Sequence, residues 1–132
     1  MITLDDYWMG RDKKYPLTPE IVHNAKDLLH RVNLLLSVYY QLNPDEPKAK
    51  VSSGWRPPEV NRRVPNAAPR SHHMTGRAID LADPEGDLDE FFLDRQDLLG
   101  QYGLWLEHPS ATRRWAHLQS VPPRSGKRVF YP

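Results

Sequence analysis

The stretch from Pro19 to Gln41 constrains the fold more than any other. Ile21, Val22, Ala25, Leu28, Leu29, Val32, Leu35, Leu36 and Tyr39 recur at spacings of three and four, which predicts an amphipathic helix with a core-facing stripe. Thr18 stands where an N-cap is needed, Pro19 takes the first helical position, and Glu20 adds favourable charge to the first turn. That stripe has to be buried against a second layer.

The rest of the chain offers strands for that layer. "NPDEPK" ends the helix, and "KAKVSSGWR" reads as a short extended run. From Pro57 to Arg70 the four prolines predict an irregular surface segment. "GRAIDLA" alternates as a strand does, with Ile79 and Leu81 on one face and Asp80 among alanines on the other. "LDEFFLDRQDLLGQY" predicts a second helix that stops at Gly103, and short strands follow around Leu104 to Glu107, Trp115 to Gln119 and Arg128 to Tyr131. The expectation is an α+β fold, residues 1–132 forming one domain, with a mostly antiparallel sheet and flanking helices.

Composition narrows the function. The chain's 132 residues can bury a core without disulfides. Eighteen Lys+Arg against 17 Asp+Glu give +1, so the basic run Arg62, Arg63, Arg70 and the tail "PPRSGKR" are not expected to bind nucleic acid. No window approaches a membrane span, and "MITLDDYWMGRDKKYP" has neither the basic start nor the apolar core of a signal peptide. A monomer away from the membrane is expected. Cysteine is absent, which leaves His, Asp and Glu as possible metal ligands.

Such residues occur together in "PRSHHMTGRAIDLADP". His73 and Asp80 are seven apart, and Gly76 between them lets a loop histidine and a strand aspartate reach one point. In "RRWAHLQ", Trp115, His117 and Gln119 share one strand face, so His117 can meet that pair across the sheet. Two imidazoles and a carboxylate can hold zinc at about 2.0 to 2.2 Å and leave a fourth position for water. By spacing alone, surface histidines and a capping aspartate fit equally well.

Ser71, His73, Gly76, Ala78 and Asp80 match, in order and spacing, the Ser-x-His-x-x-Gly-x-Ala-x-Asp signature of the zinc D-alanyl-D-alanine carboxypeptidase family. "SSGWRPPEVN" resembles that family's Ser-Gly-Tyr-Arg segment, with Trp55 for tyrosine, and "WAHLQ" resembles its closing Trp-x-His strand. The resemblance implies a zinc peptidase fold shared with the hedgehog signalling domain, and one Zn2+ per chain held by His73, Asp80 and His117. It implies hydrolysis of an amide bond in peptidoglycan stem peptides, as D,D-carboxypeptidases and phage L-alanyl-D-glutamate endolysins perform it. With no signal peptide expected, a phage-like lysis protein that waits in the cytoplasm or rides on a virion fits better than an exported wall enzyme.

By the same resemblance Arg56 holds a substrate carbonyl or carboxylate, a task suited to its planar donor fork; a surface salt bridge is the plainer use. Ser71 can bond substrate or shape its loop. Trp115, with Trp55 and Trp105, can wall a groove or pack in the core. The family commonly places a catalytic acid three residues before the last histidine, where this chain has Arg114. The nearest upstream acid is Glu107, ten residues before His117, and some relatives also space this acid widely. Glu107 can serve as general base if "HPSATRR" folds back so that its two strands lie side by side; otherwise it is a strand-end carboxylate, and Asp83 and Glu85 come next. Loss of that acid would leave a zinc-containing binding module without catalysis. His23 and His30 are expected at the surface, His72 in the loop, and His108 either lining the cleft or exposed. The N-terminal "DYWMGRD" points to no chemistry and is expected to pack over the first helix.

Overall fold

The computed structural model describes residues 1–132. The long helix, α2, spans Pro19–Leu42, and Thr18 Oγ1 accepts the Ile21 amide at 3.1 Å. Ala25, Leu28, Leu29, Val32, Leu35, Leu36 and Tyr39 are buried along one side, while His23 and His30 are exposed. A short helix, α1 (Leu4–Trp8), precedes it, closed at its start by a reciprocal Thr3–Asp6 capping box. Asn33 ties the two together by exchanging hydrogen bonds with the backbone of Ile2.

Five strands form the second layer: β1 (Val51–Ser53), β2 (Ala78–Ala82), β3 (Trp105–Glu107), β4 (Trp115–Gln119) and β5 (Val129–Phe130), in the order β1-β2-β4-β3-β5. Ile79, Leu81, Leu106, Ala116 and Leu118 are fully buried and join the α2 stripe in one hydrophobic cluster. No helix is long and apolar enough to cross a membrane.

The sheet is mixed, which corrects the expectation of a mostly antiparallel one. β4 pairs antiparallel with both β2 and β3, so neither of its edges is free for the tail. Reversing after β4, the chain runs antiparallel to it and takes the open edge of β3, so β5 lies parallel to β3. The second helix is also two, α4 (Asp87–Asp94) and α5 (Gln96–Gln101), separated at Arg95. Phe92 and Leu98 are both buried, and a continuous helix of ~3.6 residues per turn would put residues six apart on different faces. The proline-rich segment is irregular except for one turn, α3 (Pro58–Asn61).

Gly76 fixes how the segment before β2 meets α2. It ends the 3-10 turn His72–Thr75 at φ 80°, and a Cβ there would stand 2.9 Å from the Ile21 carbonyl oxygen of α2. Both the left-handed backbone and the close approach require glycine. Gly76→Ala is expected to lower the unfolding free energy by at least ~1–2 kcal/mol, measured by urea denaturation.

Candidate metal centre

The polar face of the sheet carries the site as a row across neighbouring strands. Asp80 on β2 pairs with His117 on β4. β4 also pairs with β3 through Trp105 with Gln119 and Leu106 with Leu118, and the next step in that register sets Glu107 opposite His117. Directly opposed residues share a face, so strand alternation sends Ile79, Leu106 and Leu118 into the core and these three polar side chains out. His73 arrives from the 3-10 turn, where Ser71 Oγ accepts its amide at 3.2 Å.

These side chains, with Arg56, Ser71 and Trp115, line one cleft of about 680 Å³. One nitrogen from each of His73 and His117 and an oxygen of Asp80 lie within 4.8 Å of one another. Glu107 Oε2 is 4.0 Å from His117 Nδ1. Arg56 is only 8% exposed and forms no ion pair; its Nη2 lies 3.5 Å from Ser71 Oγ, and its Nε has no partner. Trp115 stands at the rim, 36% exposed, whereas Trp55 is buried in the core. Trp105 is half-buried beneath the Arg128 guanidinium, 4.5 Å from its ring centre.

Hydrogen bonding settles which imidazole atoms face the carboxylate. His73 Nδ1 lies 2.9 Å from the Gly54 carbonyl; a carbonyl only accepts, so Nδ1 carries the hydrogen and Nε2 presents its lone pair. That Nε2 is buried, lies 3.3 Å from Asp80 Oδ2, and makes no hydrogen bond. Burial lowers the His73 pKa and keeps the ring neutral. His117 Nε2 lies 2.8 Å from Gln119 Oε1, and Gln119 Nε2 donates to the Val121 carbonyl at 2.8 Å. Gln119 Oε1 thus accepts from Nε2 of His117, and Nδ1, bare when the ring is neutral, faces Asp80 Oδ1 at 2.8 Å, where it donates once the ring takes a second proton.

Two lone pairs and an anion thus converge in a place that needs positive charge. Without a cation, His117 meets the need by taking a second proton: burial opposes this, but Asp80, Gln119 and Glu107 raise its pKa. Burial would raise Asp80, yet the two histidines hold its carboxyl well below the usual range. A metal ion satisfies all three groups at once, so the donor set fits one. Such a set, open to a cleft, is the kind that catalytic zinc sites use.

The family model described as Peptidase M15 matches residues 19–104, well over half of the chain. The chain belongs to the peptidase M15 family, whose members are zinc-dependent. No curated protein and no solved structure gives a significant match. The matched residues include Arg56, Ser71, His73 and Asp80 but stop short of Glu107 and His117, which the sheet register brings to the same cleft.

Other candidates lie elsewhere. Asp83 is buried, and its two oxygens accept the Leu88 and Asp89 amides at the start of α4, while Glu85 is exposed beside it. His108 does not line the cleft; its Nδ1 accepts the Ser110 amide, and its ring stacks on Tyr131 at 4.5 Å. His72 lines the cleft without joining the metal group. Gln119 is a participant that the sequence reading missed, although its place two residues after the candidate ligand His117 on the same strand was the available signal. Gln119→Leu removes the acceptor that orients His117 and is expected to weaken zinc binding by about 10- to 100-fold. Competition with a chromophoric chelator measures it.

Proposed function

We propose that this chain is a zinc metallopeptidase that hydrolyses an amide bond in peptidoglycan stem peptides, with Glu107 as general base and Arg56 holding the substrate. The observation that carries the reading is the placement of Glu107 opposite His117, in the same cleft as the metal group and the buried Arg56. His73, Asp80 and His117 would hold the zinc. When bound there, zinc acts as a Lewis acid that makes water acidic and polarises a carbonyl.

The protein groups carry the rest of the reaction. Glu107 accepts a proton from the attacking water as the oxygen adds to the scissile carbonyl carbon. Burial raises its pKa, which makes it a stronger base. The same carboxyl then delivers that proton to the amide nitrogen as the carbon–nitrogen bond breaks, leaving a carboxylic acid and an amine. Arg56 donates from a dehydrated position to a substrate carbonyl or terminal carboxylate, and the partnerless Nε marks unused donor capacity. Trp115 at the rim offers a flat apolar surface to the peptide.

A second reading, a zinc-containing binding module without catalysis, is favoured by Arg114 at the family's usual acid position. Digestion of purified peptidoglycan, with mass spectrometry of the released fragments, separates the two. New amine and carboxyl ends support the peptidase, and zinc-loaded protein inactive on every fragment supports the module.

Two substitutions test the roles. Glu107→Gln keeps the shape but cannot take the proton, so turnover is expected to fall by roughly 10²- to 10⁴-fold with zinc content unchanged. Arg56→Lys keeps the charge but loses the fork, and a drop in turnover without loss of zinc or melting temperature is expected from the same assay.

A further inference from the structure

The first residues of the chain lie outside the family match, yet several of their contacts converge on Gly54–Arg56. This strip follows β1, where the sheet ladder has ended, so its buried backbone groups need partners elsewhere. The N-terminal segment supplies three. Met9 Sδ accepts the Gly54 amide at 3.2 Å, the Tyr7 carbonyl accepts the Trp55 amide at 3.0 Å, and Arg11 Nη1 donates to the Trp55 carbonyl at 2.7 Å. His73 supplies two from the other side: its Nδ1–H donates to the Gly54 carbonyl, and its own carbonyl accepts the Arg56 amide at 3.0 Å.

We propose that Tyr7 to Arg11 are positioning residues for the metal centre, holding the strip whose Gly54 carbonyl orients His73 and whose Arg56 faces the cleft. This rests on the zinc reading above. The fit is close, since a Cβ on Gly54 would collide with the Tyr7 carbonyl. Tyr7 is fully buried, and its hydroxyl donates to the Ala78 carbonyl at 2.8 Å, two residues before Asp80 on β2. One segment therefore fixes both the support of His73 and the strand of Asp80. Met9 and Gly10, at φ 55° and 77°, turn the chain so that the Tyr7 carbonyl and the Arg11 side chain reach the same strip. Arg11 makes no ion pair; its guanidinium is spent on the Trp55 carbonyl.

The test compares full-length Arg11→Met and Tyr7→Phe with Arg31→Met, whose guanidinium binds the Tyr102 and Gly103 carbonyls away from the cleft. Zinc affinity is read by chelator competition, the ligand field by the visible spectrum of the cobalt-substituted protein, and folding by the melting temperature. Arg11→Met and Tyr7→Phe are expected to weaken zinc binding by about tenfold and to shift the cobalt bands, while Arg31→Met lowers the melting temperature and leaves both unchanged. Wild-type affinity and spectrum in both N-terminal variants would overturn the proposal. So would an equal loss of affinity in Arg31→Met, because general destabilisation would then explain it. Should Arg11→Met fail to fold, Tyr7→Phe decides alone. A wild-type chain that takes up no zinc defeats the zinc reading and this proposal together, whereas normal uptake by wild type and both variants defeats only the latter.

Discussion

Asp80 is a carboxylate withdrawn from water and faced by Nε2 of His73 and Nδ1 of His117, and much of the surrounding structure holds that contact. Without a cation, a second proton on His117 compensates the dehydrated anion, and a metal ion can take that proton's place. Partners on the far side of each ring prevent relaxation. The Gly54 carbonyl occupies Nδ1 of His73, and Gln119, itself anchored by Val121, occupies Nε2 of His117. Neither ring can turn its other nitrogen toward Asp80 without abandoning a buried partner. The sheet and the 3-10 turn therefore fix a demand for positive charge at one point, open to a proton or a metal ion.

The β3–β4 pairing extends the row to a second carboxylate. Ten residues separate Glu107 from His117 in sequence, but the strands bring them opposite one another. The intervening chain is taken up by the 3-10 turn Pro109–Ala111 and by Arg114 at φ 74°, which turns the chain into β4. Arg114 is exposed and does not line the cleft. The position to which the resemblance assigns an acid thus serves here as a turn, and the carboxylate that faces His117, Glu107, stands on the neighbouring strand.

Much of this was legible in the sequence because it rests on local periodicity. The α2 stripe, its Thr18 cap, the alternation around Asp80 and the limits of β4 follow from spacings of three, four and two. The metal group was legible as residue types, and the resemblance of "SHHMTGRAID" and "WAHLQ" to a known family brought its members together. Sheet order was not, since the direction of β5 depends on which edge β4 leaves free. The break at Arg95 also escaped, because its cause is the distance between Phe92 and Leu98 in the core. Gln119 and the Tyr7–Arg11 contacts escaped for a similar reason: each acts through a backbone carbonyl or a side-chain amide, and neither leaves a pattern of residue types.

The order β1-β2-β4-β3-β5 also bears on how the molecule assembles. β4 is inserted between two strands that precede it in the chain, so β2 and β3 cannot be joined until residues 115–119 enter between them. The β2–β4 pairing closes a long loop, and such non-local contacts are slow because chain entropy is lost before the contact is gained. α2 and the 3-10 turn can form early from nearby residues, yet they hold only His73. Insertion of β4 seats His117 beside Asp80 and opposite Glu107 in one event, so a half-folded chain presents scattered polar residues and the cleft arises only with the last central strand.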